Sequence, residues 1–234
     1  YHWRAFFTQV IQGCLMSTPV RSYQGASAQA RVQGRRQRLI DVAFEAMASE
    51  EWKAMSINQL CRLAELNKRY FYESFESLDV IAGAVIEDLS AKVIYIAFTT
   101  LAEGNQAKLP NLPLAQKVMR AVLGYLLDDP RRSRVLFGEV ADNPVAKANR
   151  RRVIATLASA VSNYGHIHYE AGDKTYPLAS VASSLLVGGT IEAILNWLDG
   201  GIPLTRDEFI DDMATLWNVN GDAVASIALQ RKQT

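Results

Sequence analysis

The chain has 234 residues, a formal net charge of +1, 49% hydrophobic residues and 21% charged ones. That balance is globular, with length enough to bury a core, and it excludes a disordered or fibrous polymer. The near-neutral total hides an asymmetry: residues 1–72 carry ten Lys/Arg against five Asp/Glu, whereas residues 73–234 carry fifteen against nineteen. A basic working end therefore sits on a neutral-to-acidic body.

Met16-Ser17-Thr18-Pro19 reads as a natural start, so Tyr1–Leu15 is expected to be upstream sequence or a truncated extension; it lacks the charge order and cleavage site of a signal peptide. Residues 17–33 are rich in Ser, Gln, Ala, Gly and Arg and read as a flexible basic arm. Order is expected from Gly34. Leu39, Val42, Ala43 and Met47 share one helix face, and this first helix ends near Glu50. Ser56 is an N-cap for a second helix carrying Ile57, Leu60, Cys61 and Ala64. Glu65-Leu66-Asn67 breaks it, and Asn67 caps a third helix from Lys68 to Phe75. Ser77 and Asp79 open a long fourth helix to about Ala102.

Downstream everything reads as helix. Gly104–Pro113 is a loop, Leu114–Leu127 is amphipathic, Arg131–Val140 is short, and Val145–Tyr164 follows Asn143-Pro144. Gly165–Tyr176 reads as a polar loop and Pro177–Leu198 as the most apolar helix. Thr205 with Glu208 makes a capping box for a helix through Trp217, and a last helix spans Asp222–Gln230. No apolar run approaches the roughly 18 residues needed to cross a bilayer, so no membrane partner is expected. With no strand and no repeat in the pattern, the expected class is all-α.

Residues 56–75 carry the informative pattern. Two short helices joined by a three-residue turn form a helix-turn-helix, with Cys61 small enough for a close crossing and Leu66 filling the gap. Phe71 and Phe75 face inward, leaving Lys68, Arg69, Tyr70, Tyr72 and Glu73 outward. Such a helix enters a major groove: Lys and Arg bond guanine edges, and hydroxyls hold phosphates.

The run Leu66-Asn67-Lys68-Arg69-Tyr70-Phe71-Tyr72-Glu73-Ser74-Phe75 resembles the signature of the tetracycline-repressor (TetR) family. There a Tyr, two variable residues and a Phe close the recognition helix, matching Tyr72 and Phe75; Leu39–Ala43 and Ser56-Ile57 match the first two helices. The strong match covers about residues 33–93. The resemblance implies an N-terminal three-helix DNA-binding domain over 33–93, an arm over 1–32, and a helical effector-binding and dimerisation domain over 94–234. It implies a homodimeric, cytoplasmic regulator, a repressor released from a palindromic double-stranded DNA operator by a small-molecule effector, with no enzymatic activity and no cofactor. The alternative is a ligand-binding protein of the same fold with weak or lost operator binding.

The expected DNA-binding residues are Arg35, Arg36, Arg38, Ser56, Asn67, Lys68, Arg69, Tyr70 and Tyr72. Pocket candidates are Tyr95, Phe98, Met119, Leu123, Phe137 and Tyr164; interface candidates are Leu185, Gly188, Gly189, Ile191, Leu195 and Trp217. Three positions depart from the family's pattern: Glu51 and Glu65 stand where it usually has Gly, and Leu78 where it usually has a phosphate-contacting Lys. Backbone affinity must then come from elsewhere, such as the Arg21–Arg38 arm. Two motifs carry less. His166-Ile167-His168 reads as a solvated loop, not a metal site, because it forms no helical i, i+4 pair. Arg150-Arg151-Arg152 points three ways on a helix and is expected to pair locally with Glu139 or Asp142. Cys14 and Cys61 lie far apart without metal-ligand neighbours, which fits a reducing compartment, and Cys61 reads as buried packing.

Overall fold

The computed structural model describes residues 28–138, 144–168 and 176–232. Among them the regular elements are all helical: α1 (Ala28–Ala48), a 3₁₀ turn (Glu50–Ala54), α2 (Ile57–Leu63), α3 (Lys68–Tyr72), α4 (Leu78–Gln106), α5 (Asn111–Asp128), α6 (Pro130–Phe137), α7 (Pro144–His168), α8 (Tyr176–Leu198) and α9 (Arg206–Lys232). The all-α class read from the sequence is the class observed. Among the described residues, 28–95 with 144–147 form one compact unit, and 96–138 with 148–168 and 176–232 form a second.

In the first unit α1 packs against α2 and α3. Leu39, Ile40, Ala43 and Met47 of α1, Leu60, Cys61 and Ala64 at α2, Phe71 and Phe75 at α3, and Ile81, Val85 and Ile86 of α4 are all buried. Burying one such large side chain contributes about 1.5–3 kcal/mol relative to leaving it in water. That tertiary burial is what holds helices of seven and five residues, which in isolation are too short to persist. In the second unit α5 packs along α9, α6 packs on α5 and α8, and α8 packs on α9. Leu114, Met119, Leu123, Leu126 and Leu127 meet a core that includes Phe209, Ile210, Met213 and Ala214. The Trp197 ring stacks on Phe209 at 5.4 Å between centroids, and its Nε1–H donates to the Leu204 carbonyl at 2.9 Å. Gly104 lets α4 approach α5 closely: a Cβ there would lie 2.3 Å from Leu114 Cδ1, so that leucine's side chain would have to move aside.

Several boundaries differ from the sequence expectation. Helix α1 begins at Ala28, so the end of the expected arm is helical, while residues 1–27 lie outside the described residues. The expected 104–113 loop shrinks to four residues, 107–110. Pro113 falls in the first turn of α5, where its missing N–H breaks no helical bond. Helix α7 runs past Tyr164 to His168, taking the backbone of His166 and His168 out of the expected loop. Helix α9 is continuous, where the sequence reads as one helix through Trp217 and another from Asp222. There the Asn218 amide donates to Asp222 one turn on at 3.1 Å, and Asn111 of α5 donates to the same carboxylate at 3.3 Å, so the polar run is bonded within the helix and to its neighbour.

The apolar-run expectation is also corrected. Within α8, Pro177–Leu198 reaches a mean hydropathy of 1.7 and is long and apolar enough, by length and composition, to cross a membrane. Its scattered Ser, Thr and Gly residues interrupt the run in the sequence without lowering the mean below that level. Only 17% of that window is buried within the chain.

Candidate nucleic-acid interface

The helix-turn-helix is built by local hydrogen bonding. Ser56 caps α2 in a full capping box: its Oγ accepts from the Gln59 N–H at 3.2 Å, and the Gln59 Oε1 accepts from the Ser56 N–H at 3.0 Å. Asn67 caps α3, its Oδ1 accepting from the Tyr70 N–H at 3.2 Å. Between them the chain reverses through a Schellman motif. The Leu66 N–H donates to the Cys61 carbonyl at 2.9 Å and the Glu65 N–H to the Arg62 carbonyl at 3.1 Å. This requires Glu65 to take φ +53°, the left-handed region that favours glycine. The expected family glycine at this position therefore has a conformational reason, and here a glutamate occupies it.

The two caps aim α3. Phe71 is fully buried and Phe75 nearly so. Their rings sit 5.9 Å apart, and Phe71 also supports Tyr72 edge-on at 5.5 Å. That anchoring leaves Lys68, Arg69 and Tyr72 exposed on the opposite face, with Tyr70 half-buried. Lys68 also reaches the neighbourhood of Cys61, whose thiol is pushed above its ordinary pKa by burial and only partly restored by that lysine. A thiol held protonated is packing, as the sequence suggested.

The cations of this face are not all exposed alike. Arg38 pairs with Glu65 across the turn. Arg35 reaches from α1 to Glu73 at 3.4 Å, with its guanidinium carbon 4.2 Å from the centre of the Tyr70 ring. Arg36 lies over Phe75 at 5.0 Å. Arg69 bonds Glu73 one turn on at 3.2 Å but keeps 84% of its side chain exposed. Ser56 and Asn67 spend their side-chain oxygens on capping. Leu78 is half-buried at the start of α4 and offers a phosphate no polar group. Sequence reasoning missed the pairing of Arg35 with Glu73; only the i, i+4 spacing of Arg69 and Glu73 was legible in advance.

The pocket candidates divide. Phe98, Met119, Leu123 and Phe137 are buried in the second unit. Tyr164 is half-buried there, its phenol raised above its ordinary pKa by desolvation and partly offset by a hydrogen bond with Asn105. Tyr95 is 51% exposed and belongs to the first unit. Of the interface candidates, Leu185 is 70% exposed. Gly188 and Gly189 are exposed, and a Cβ on either would meet open space. Ile191 and Leu195 are half-buried, while Ile194 of the same helix is core. Trp217 is half-buried, and its indole donates to Thr190 Oγ1 at 2.8 Å, tying α9 to α8 within the chain. Arg150 donates to the Leu136 carbonyl at 3.1 Å; its expected partners Glu139 and Asp142 lie outside the described residues. Among the described residues no group of three or more His, Cys, Asp or Glu could hold a metal ion.

No family model matches the chain. No curated protein matches it in sequence. Among solved structures it is similar to a protein from Syntrophomonas wolfei described as a TetR-family transcriptional regulator, with a TM-score of 0.61 and 15% identity. The match covers 83% of this chain and 96% of that one. The fold is therefore one shared with a protein described in those terms.

Proposed function

We propose that this chain is a cytoplasmic, DNA-binding transcriptional regulator that reads double-stranded DNA as a homodimer. The observation that carries the reading is the capped, five-residue α3, anchored by buried Phe71 and Phe75 and presenting Lys68, Arg69 and Tyr72 to solvent. A short helix fixed from behind, with cations and a phenol in front, is built to enter a major groove. The excess of basic residues in the N-terminal third supplies attraction to the phosphate backbone.

Dimerisation is supported by the second unit. Val181 and Leu185 of α8 and Leu216, Val219, Ile227 and Leu229 of α9 are large apolar side chains left exposed by the chain's own packing. A second copy of the same helix pair would cover them and form a four-helix interface. Two recognition helices about 34 Å apart then read successive major grooves of a near-palindromic operator. Regulation by a small-molecule effector bound among the second unit's helices completes the reading, with repression as its outcome in the absence of effector. Its support is the Ser162 Oγ, which is buried without a hydrogen-bond partner among the described residues and so suits a ligand with a donor or acceptor of its own.

The test is fluorescence anisotropy with duplexes tiled across the DNA flanking the gene, at two salt concentrations. The reading predicts one preferred, near-palindromic duplex. Its affinity should fall by roughly 1,000-fold or more between about 50 and 200 mM salt, as for a surface that neutralises six or more phosphates. Lys68→Ala should lower the salt slope by about one per protomer, roughly two for the dimer. Uniformly weak, salt-insensitive binding would leave a ligand-binding protein of this fold.

A further inference from the structure

The reading of α3 as a recognition helix leaves a question of charge. Two of the three ion pairs on this face join α1 to an acid of the helix-turn-helix, Arg38 to Glu65 and Arg35 to Glu73. The two pairs are not equivalent. The Arg38 and Glu65 side chains are 51% and 76% exposed, whereas those of Arg35 and Glu73 are 25% and 34% exposed. Arg35 is held on two sides, by the face of the Tyr70 ring at 4.2 Å and by the Glu73 carboxylate at 3.4 Å. The other oxygen of that carboxylate accepts from Arg69 Nε at 3.2 Å. One carboxylate thus bridges a half-buried arginine of α1 and the exposed Arg69 of α3.

We propose that Arg35 is a positioning residue of the DNA-binding face: stacked on Tyr70 and paired with Glu73, it fixes the outward side chains of α3 and, through Glu73, aims Arg69 at DNA. The inference rests on the DNA-binding reading. To touch a phosphate itself, Arg35 would have to leave both the ring and the carboxylate. Arg69 faces no such conflict: a guanidinium has five N–H donors, and the one at Nε that meets Glu73 leaves the terminal ones for a base edge or a phosphate. A planar guanidinium suits the role, because it stacks on an aromatic face and donates sideways to a carboxylate at the same time, which a lysine ammonium cannot do. The geometry also gives Glu73 a use. Left alone on this face it would repel DNA; between two arginines it is neutralised and acts as a bracket.

The test uses the full-length protein and a mixed-sequence duplex of about 30 bp, long enough for two successive major grooves. Affinity is followed from low to high salt for wild type, Lys68→Ala, Arg35→Ala and Arg35→Lys. Positioning predicts that Arg35→Ala weakens binding by about three- to tenfold, the scale of a lost cation–π contact, with the salt slope unchanged. Arg35→Lys should fail to restore the affinity, while Lys68→Ala should lower the slope by about one per protomer, roughly two for the dimer. In the DNA-free protein, the Arg35 side-chain protons should be shifted upfield by the Tyr70 ring current, and Tyr70→Leu should abolish that shift. A slope lowered by about one per protomer in Arg35→Ala and restored in Arg35→Lys would make Arg35 a direct phosphate contact and overturn the proposal. Arg35 protons at unshifted positions would overturn it too, whatever the affinities. A wild type that binds no duplex would overturn the DNA-binding reading and this inference together, which separates the two failures.

Discussion

Replacing Glu65 separates backbone strain from charge at the turn of the helix-turn-helix. Glu65 holds φ +53° so that the Leu66 and Glu65 N–H groups can close the end of α2. A residue with a Cβ pays about 1–2 kcal/mol in that conformation. The carboxylate gives something back through Arg38, but those side chains are 51% and 76% exposed, and an exposed pair is worth about 0.2–1 kcal/mol. Glu65→Ala removes the pair and keeps the strain, so it should destabilise by about 0.2–1 kcal/mol. Glu65→Gly removes both, so it should be neutral to stabilising by up to about 2 kcal/mol. The difference between the two variants cancels the carboxylate and isolates the backbone term, at about 1–2 kcal/mol, or roughly 2–8 °C in Tm for a chain of this size. Urea and thermal unfolding followed by circular dichroism read it directly. Lys108 provides an internal control, because it occupies the same motif after α4 with the same φ of +53° and bonds from Lys108 N to Asn105 and from Leu109 N to Gly104. Lys108→Gly should exceed Lys108→Ala by a similar margin. Equal stability of the Gly and Ala variants at both sites would refute the argument that these turns store strain.

Phe71→Ala should destabilise the protein by about 3–5 kcal/mol, because Phe71 is fully buried where α3 meets the first unit's core; a loss below about 1 kcal/mol would show that the site collapses around the cavity. Asp129 caps α6 and accepts from Arg131 Nε at 2.8 Å, and that hydrogen bond holds its carboxyl below its ordinary pKa. A depressed pKa contributes stability above the unfolded-state value that is lost as pH falls through the folded one. The wild type should therefore exceed Asp129→Asn at neutral pH, with the gap closing below about pH 4; a gap independent of pH in acid titrations of stability would refute the charge argument. Leu185→Glu should convert a dimer to a monomer in sedimentation velocity, because Leu185 is the most exposed large apolar residue of α8; an unchanged sedimentation coefficient would exclude this face as the pairing surface.

The sequence by itself determined what depends on short-range chemistry. Ser56, Asn67 and Thr205 each announce a helix start because their oxygens bond N–H groups within three residues, and all three do so in the structure. Phe71 and Phe75 could be assigned to the inner face by helical spacing alone, and both are buried. The same local logic misjudged Asn218–Asp222, which reads as a helix stop but is bonded along α9 and to Asn111 of α5, a partner 111 residues away. Hydropathy along the chain likewise ranked α8 as the most apolar helix without showing that most of it stays uncovered by the chain's own packing.

Only the tertiary structure decided which arginines of the basic end remain in solvent. Arg35, Arg36, Arg38 and Arg69 look equivalent in the sequence. Packing α1 against α3 brings Arg35 to Glu73 and Tyr70, lays Arg36 over Phe75, pairs Arg38 with Glu65 and leaves Arg69 outermost. The physical reason is distance along the chain. A cap, a turn or an amphipathic face is a property of neighbours, whereas the partner of a charge 27 or 38 residues away is set by how two helices cross, and no local pattern encodes that crossing.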